Sequence, residues 1–277
     1  MNREPVGALG EVFMRLPFLR ALRAWAPEAR ITIVPGIGGA SFWEELVRPI
    51  SASLVDENYP RPAAAKPRSF DLVFNMEGHP QTSFLLKRLA RDRFFTTALR
   101  GWLNFPHLPI CHGKCVAKCY LGLLKQATGT MPASHWPWPV PEHYRQAAEC
   151  LLPAGADYVA LAPGAGRQIT GKCWPVERFV AVVRRRVELG RVSAVFLSNS
   201  EKGWEKQISK IERIRFPLSE NRVEETGVPS DPVLTVALAE RVRVAVANCS
   251  GTGHMLALGG APLVSLFGPS SVLWWAT

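Results

Sequence analysis

The sequence predicts an α/β protein of two Rossmann-like, doubly wound lobes, and three observations carry that expectation. Short apolar or β-branched runs recur at 29–34 (ARITIV), 70–74 (FDLVF), 158–162 (YVALA) and 242–247 (VRVAVA). Segments with helical apolar spacing lie between them, and strands alternating with helices build parallel sheets. Residues 131–141 (MPASHWPWPVP) hold four prolines and two tryptophans, which neither a helix nor a central strand accommodates. This segment separates the lobes, which are expected to span 1–145 and 146–277.

In the first lobe, Val12, Leu16, Leu19 and Leu22 recur at helical spacing with Arg15, Arg20 and Arg23 between them, so residues 9–25 are expected to be helical. The run at 29–34 ends in a Pro-Gly turn and reads as a buried strand. A short helix is expected at 41–47, an exposed loop at 60–69, a strand at 70–74, and helices at 81–91 and 114–126. In the second lobe the expected order is strand 158–162, helix 176–188, strand 192–197, helix 234–240, strand 242–247, helix 253–258 and strand 263–267.

Composition sets the outer limits. Of 277 residues, 47% are hydrophobic and 20% charged, enough apolar content for a packed core and incompatible with global disorder. The net charge of +10 suits an anionic partner. Net charge alone speaks for nucleic acid, since no aromatic and basic residues interleave in a patch, and none is expected as partner. The opening MNREPVGALG has no apolar signal core, so a reducing cytoplasmic setting is expected for the six cysteines. The charge-free stretch from 244 to 277 is broken by glycines and prolines, which argues for buried strands and turns over a membrane span.

Four clusters fall where a doubly wound sheet carries functional loops, at the carboxyl ends of strands. Pro163-Gly164-Ala165-Gly166-Arg167, with Lys172 before Cys173-Trp174-Pro175, offers backbone amides and a point charge to a phosphate. It is not the G-x-x-x-x-G-K-[ST] pattern, and a tight turn beside an exposed lysine is the plainer alternative. Asn248-Cys249-Ser250-Gly251-Thr252-Gly253-His254 opens a helix after a strand, where free amides and two hydroxyls suit a diphosphate. Glu11, after Gly7-Ala8-Leu9-Gly10, stands at a helix start, where dipole compensation is its ordinary role. Glu201 follows a strand end, where a carboxylate can accept ribose hydroxyls.

Two further patterns carry less. Cys111, His112, Cys115 and Cys119 fit neither zinc nor cluster spacing, and packing of cysteine is the plainer reading. Gly36-Ile37-Gly38-Gly39 matches the dinucleotide fingerprint poorly, with Ser41 at its third glycine. The sequence holds no D-x-D pair, which argues against a metal-chelating nucleotide-sugar site of that type, and neither a metal nor a cofactor is expected.

Taken together, three stretches resemble the family 9 glycosyltransferases, the bacterial heptosyltransferases of lipopolysaccharide core synthesis. They are GALGEVFMRLPFLRALRAWAPEARITIV, LAPGAGRQITGKCWPVERFVAV and VAVANCSGTGHMLALGGAPLVSLFGPSS, in the family's order. The resemblance implies a two-lobed GT-B fold, shortened here at both ends, with an acceptor-side N-terminal lobe and a donor-binding C-terminal lobe. It implies an inverting, metal-independent transfer from an ADP-sugar, with ADP-heptose the typical donor, to a lipid A-core or other phosphorylated glycan. It also implies cytoplasmic work, with peripheral contact to the anionic inner membrane.

Carried over residue by residue, Glu11 stands at the family's aspartate base and Lys172 at its phosphate-contacting lysine. Glu201 stands at the ribose acid, and Gly164, Ala165, Ser250, Gly251, Thr252, Gly253 and His254 in the donor loops. The chain departs from the pattern at Glu11 and at Cys249, where the family has aspartate. Those departures and the short ends define the alternative expectation, a homologue that binds nucleotide or a partner without turnover.

Overall fold

A computed structural model describes residues 13–33, 57–58, 67–76, 80–98, 103–104, 116–130, 137–165, 171, 173–197, 204–205, 208–219, 224–269 and 272. The chain divides into two compact units, one of Met1–Ala8 with Met14–Ser134 and one of Leu9–Phe13 with His135–Thr277. Helix Glu142–Leu151, which packs in the second unit, spans the residues around 145 and 146.

In the first unit, helix α1 (Leu16–Trp25) starts with proline in its first turn and buries Leu16, Phe18, Leu19 and Ala21. Of the helix expected at 9–25, residues 9–12 lie outside the described residues, as does the helix expected at 41–47. Strand β1 (Thr32–Ile33) pairs in parallel with β2 (Glu57–Asn58). Strand β3 (Phe70–Asn75) crosses through helix α2 (Pro80–Lys87) to β4 (Ala90–Thr96), which pairs with it in parallel. Helix α3 (Val116–Thr128) packs on α1.

β4 corrects the sequence reading, which extended the preceding helix to 91. Its first residues, Arg91 and Asp92, are exposed and read as a helix end. Its last three, Phe94, Phe95 and Thr96, are buried. Adjacent residues point to opposite faces of a strand. Phe94 accordingly packs with Leu86, Leu89 and Leu103, while Phe95 stacks on Phe74 at 5.7 Å, which meets Phe18 edge-on at 5.0 Å. Burial on both faces is what a parallel sheet requires.

The main segment of the second unit has α4 (Glu142–Leu151) as its first element, a helix the sequence reading did not separate from the proline-rich segment. Its buried residues, Tyr144, Ala147, Ala148 and Leu151, follow an i, i+3, i+4, i+7 stripe. The sheet that follows contains β5 (Val159–Ala162), β6 (Ser193–Val195), β7 (Ile214–Arg215), β8 (Val244–Asn248) and β9 (Leu263–Leu266). All pairings are parallel and the spatial order is β7-β6-β5-β8-β9. Written by position in this unit the order is 3-2-1-4-5, the doubly wound arrangement.

Helix α5 (Val176–Glu188) covers one face, where Phe179 and Val183 meet Val159, Leu161 and Val195. Helix α6 (Pro232–Ala239) is buried on all sides and packs on α4 and on α7 (Gly251–Leu258). A helix that is apolar on nearly every side, with Thr235 its one polar residue, suits such a position.

Asp231 caps α6, its Oδ1 accepting from the Leu234 amide at 3.0 Å, while its Oδ2 accepts from the Tyr144 hydroxyl at 2.6 Å. Burial, and then the hydrogen bond and charge of Asp231, push the Tyr144 hydroxyl well above the usual tyrosine range. A hydroxyl whose pKa rises on folding contributes stability in full below the unfolded value of about 10 and loses it above. Tyr144→Phe is therefore expected to lower stability by about 1.5–3 kcal/mol at neutral pH, the worth of a hydrogen bond to a charged group. In urea denaturation the gap between the two proteins should close as the pH rises above about 10.

Candidate functional site

Strands β5 and β8 are paired from Val159↔Val244 to Ala162↔Ala247. They are the neighbours from which the chain continues to opposite sides of the sheet, toward β6 and β7 on one side and β9 on the other. At such a switch point the loops leaving the two strands diverge and open a crevice at the carboxyl edge. Here those loops are Pro163-Gly164-Ala165 after β5 and Cys249-Ser250 before α7.

α7 is started by Ser250, whose backbone is extended at φ −149° and ψ 165° and whose Oγ accepts from the Gly253 amide at 3.3 Å. The helix lies close to β8 because position 253 lacks a side chain: a Cβ there would stand 3.2 Å from Ala247 Cβ and 3.3 Å from the Asn248 carbonyl. The first-turn amides at the helix start are the groups an anion would meet, backed by the positive end of the helix dipole. Thr252 and Gly251 are half-buried in that first turn, and His254 is buried below it, its amide donating to Ser250 O at 3.2 Å. Cys249 is buried, and its amide donates to Leu266 O at 3.0 Å, fixing the loop to β9.

The loops are joined through Asn248, the last residue of β8, which is 1% exposed. Its Nδ2 donates to Pro163 O at 2.5 Å, and its Oδ1 accepts from the Trp174 amide at 3.0 Å. Trp174 is held in turn by an edge-on contact with Phe179 at 5.1 Å, and the Arg178 guanidinium lies 5.8 Å from its ring centroid. Ahead of it Gly171 has φ +77°, a conformation that favours glycine. Trp174 is thus anchored to the end of β8 through Asn248.

The structure therefore brings together Gly164, Ala165, Ser250, Gly251, Thr252, Gly253 and His254, on the two loops expected to bind a ligand. Lys172, Glu201 and Glu11 lie outside the described residues, as do Cys111, His112, Cys115 and the 36–39 glycines. Cys119 lies half-buried on α3. No cluster of His, Cys, Asp and Glu able to hold a metal ion occurs among the described residues. None of the described helices is long and apolar enough to cross a membrane.

Sequence reasoning placed Asn248 in the second cluster without a role of its own, and passed over a second buried asparagine in the first unit. Asn75 ends β3, and its Nδ2 reaches Ser83 Oγ at 2.7 Å and Thr96 Oγ1 at 3.2 Å. The Thr96 amide donates to Asn104 Oδ1 at 2.7 Å. All four side chains are at most 3% exposed. A signal was present in both places, an asparagine closing an apolar run (FDLVFN, VAVAN) at a carboxyl edge.

A five-stranded doubly wound sheet, with a glycine-containing loop and a capped helix at its switch point, defines a Rossmann-like α/β protein. The profile of glycosyltransferase family 9 (heptosyltransferase) matches residues 64–276, and the chain belongs to this family of glycosyltransferase enzymes. Solved structures share the fold. The family 9 glycosyl transferase from Veillonella parvula is 21% identical with a TM-score of 0.67, covering 97% of this chain and 81% of its own. E. coli ADP-heptose LPS heptosyltransferase II is 17% identical with a TM-score of 0.63, covering 98% of this chain and 85% of its own. E. coli heptosyltransferase WaaC with ADP is 14% identical with a TM-score of 0.65, covering 97% and 87%. No curated protein matches the chain by sequence.

Loss of the α7 cap has a defined cost. Ser250→Ala is expected to lower the stability of the second unit by about 1 kcal/mol, as cap removals do, while Ser250→Asp keeps most of it. Urea denaturation followed by tryptophan fluorescence measures both.

Proposed function

We propose that this glycosyltransferase moves a sugar, a heptose in the first instance, from an ADP-sugar to a hydroxyl of a phosphorylated glycan of the lipid A-core type. The observation that carries the reading is the pair of loops joined at the β5–β8 switch point, in a chain whose family is glycosyltransferase family 9. Structures of WaaC are described with ADP and with ADP-2-deoxy-2-fluoro heptose, which supports the same donor class here.

The reaction is a single displacement with inversion. The acceptor oxygen forms a bond to the anomeric carbon as the bond from that carbon to the ADP diphosphate breaks. Glu11 takes the proton from the attacking hydroxyl as general base. The diphosphate departs with growing negative charge, met by Lys172 and the first-turn amides of α7 without need of a metal. That division of labour agrees with a sequence lacking any D-x-D pair. Glu201 accepts hydrogen bonds from the donor ribose. The first unit is the acceptor side and the second the donor side. The basic net charge favours a phosphorylated acceptor presented at the inner face of the cytoplasmic membrane.

A second reading rests on Cys249, which stands where the resemblance has aspartate. A thiol is a weak donor and a weaker acceptor, so a loop built on it could retain nucleotide and lose turnover. A protein that binds ADP yet fails in single-turnover sugar transfer would support this alternative.

Two substitutions separate binding from chemistry. Lys172→Ala is expected to weaken ADP binding by about 1.5–3 kcal/mol in titration calorimetry, the loss of a hydrogen bond to a charged group. Equal affinities would remove Lys172 from the phosphate. Glu11→Gln is expected to lower kcat by ~10²–10⁴-fold with ADP affinity unchanged. A variant that keeps most of its kcat would show Glu11 to be a helix-end charge only.

A further inference from the structure

We infer that Asn248 is the positioning residue of the donor crevice, a carboxamide clasp that sets both ligand-facing loops at once. The inference rests on the donor reading above for its consequence in binding, and on the hydrogen bonds alone for its mechanism. Asn248 closes β8 immediately before the Cys249-Ser250 turn, so its backbone belongs to one loop. Its side chain donates to Pro163 O on the other loop and accepts from the Trp174 amide, on the segment that follows Lys172. The polarity of the two backbone partners leaves one orientation for the amide, with oxygen toward the N–H and nitrogen toward the carbonyl.

Three features make this more than a satisfied core residue. Asn248 is 1% exposed, so each bond it makes is shielded from competing water and each group left alone would be costly. Its partners are 85 and 74 residues away in sequence, so the side chain joins segments that no local turn connects. And Pro163 has no N–H of its own, so its carbonyl is the group by which the start of the β5 loop can be held. No aliphatic side chain makes both bonds. Aspartate can accept from Trp174 but sets a carboxylate against the Pro163 carbonyl. Asn248 need not touch the nucleotide: it fixes where the Pro163 carbonyl and the Trp174 amide stand relative to the α7 start.

The test uses the full chain and two readouts. Amide hydrogen exchange of the ligand-free protein is compared for wild type, Asn248→Ala and Asn248→Asp, and ADP affinity is measured by calorimetry. Leu152→Ala is the control, a fully buried residue at the C-cap of α4, whose carbonyl accepts from Arg241 ahead of the start of β8. Asn248→Ala is expected to speed exchange of the Trp174 amide at least tenfold, and Asn248→Asp to restore its protection. Asn248→Ala is also expected to weaken ADP at least tenfold, while Leu152→Ala lowers the melting temperature and leaves ADP affinity within twofold. If Trp174 protection and ADP affinity are both unchanged in Asn248→Ala, the clasp is refuted. If Leu152→Ala weakens ADP as much, the effect is general destabilisation and the inference falls. If wild type itself does not bind ADP while exchange changes as described, the clasp stands and the donor reading fails.

Discussion

The second unit depends on the parallel pairing of β5 with β8. Ala160, Ala162, Ala245 and Ala247 are small and fully buried on these neighbouring strands. Small side chains there allow α7 to lie close enough for Gly253 to meet Ala247 and the Asn248 carbonyl. The same pairing brings the end of β8 beside the loop after β5, which puts Pro163 within reach of a side chain from position 248. Larger residues on this face would lift the helix and move its free amides away from the crevice. The site is therefore a consequence of how thin the sheet is made at its centre.

Each of the two units solves one recurring difficulty with the same residue type. Where a parallel strand ends, its carboxyl edge must hand the chain to a loop without leaving buried backbone groups unpaired. Asn75 and Asn248 both stand on the last residue of a strand and both are almost completely buried. Asn248 bonds backbone groups of distant segments, whereas Asn75 works through the hydroxyls of Ser83 and Thr96. An asparagine offers a donor and an acceptor on one short, planar group, which suits it to bridging where only a little space remains.

Much of the fold was legible because burial imposes local patterns. The continuous apolar run of β5, buried at all four residues, and the helix Val176–Glu188 could be read directly. β4 was not, because its charged start lies on the exposed end of the strand and only its last three residues carry the core. β7, with two residues, is too short to show any alternation. α4 has a clear apolar stripe, but it follows four prolines that signal a break in structure. The ligand loops were legible as glycine and hydroxyl clusters. The function of Asn248 was not, because it exists only through partners brought in by the sheet, and the start of α7 at Gly251, ahead of the expected 253, follows from the Ser250 cap.

The attachment of α4 has a consequence for how the second unit comes together. Polar links from α4 and its C-cap run to residues late in the sequence: Tyr144 to Asp231, Arg145 to Glu240, and Leu152 to Arg241. The apolar stripe of α4 leaves the ribosome ahead of the sheet of this unit, and its seat on α6 is completed only after β5, β6 and β7 have been made. Closing so long a loop costs chain entropy before any contact repays it, which slows assembly of folds with this connectivity. During that interval the stripe is exposed apolar surface of the kind that chaperones shield. The first helix of this unit's main segment thus waits for a partner much later in the chain, since Tyr144 and Asp231 are 87 positions apart.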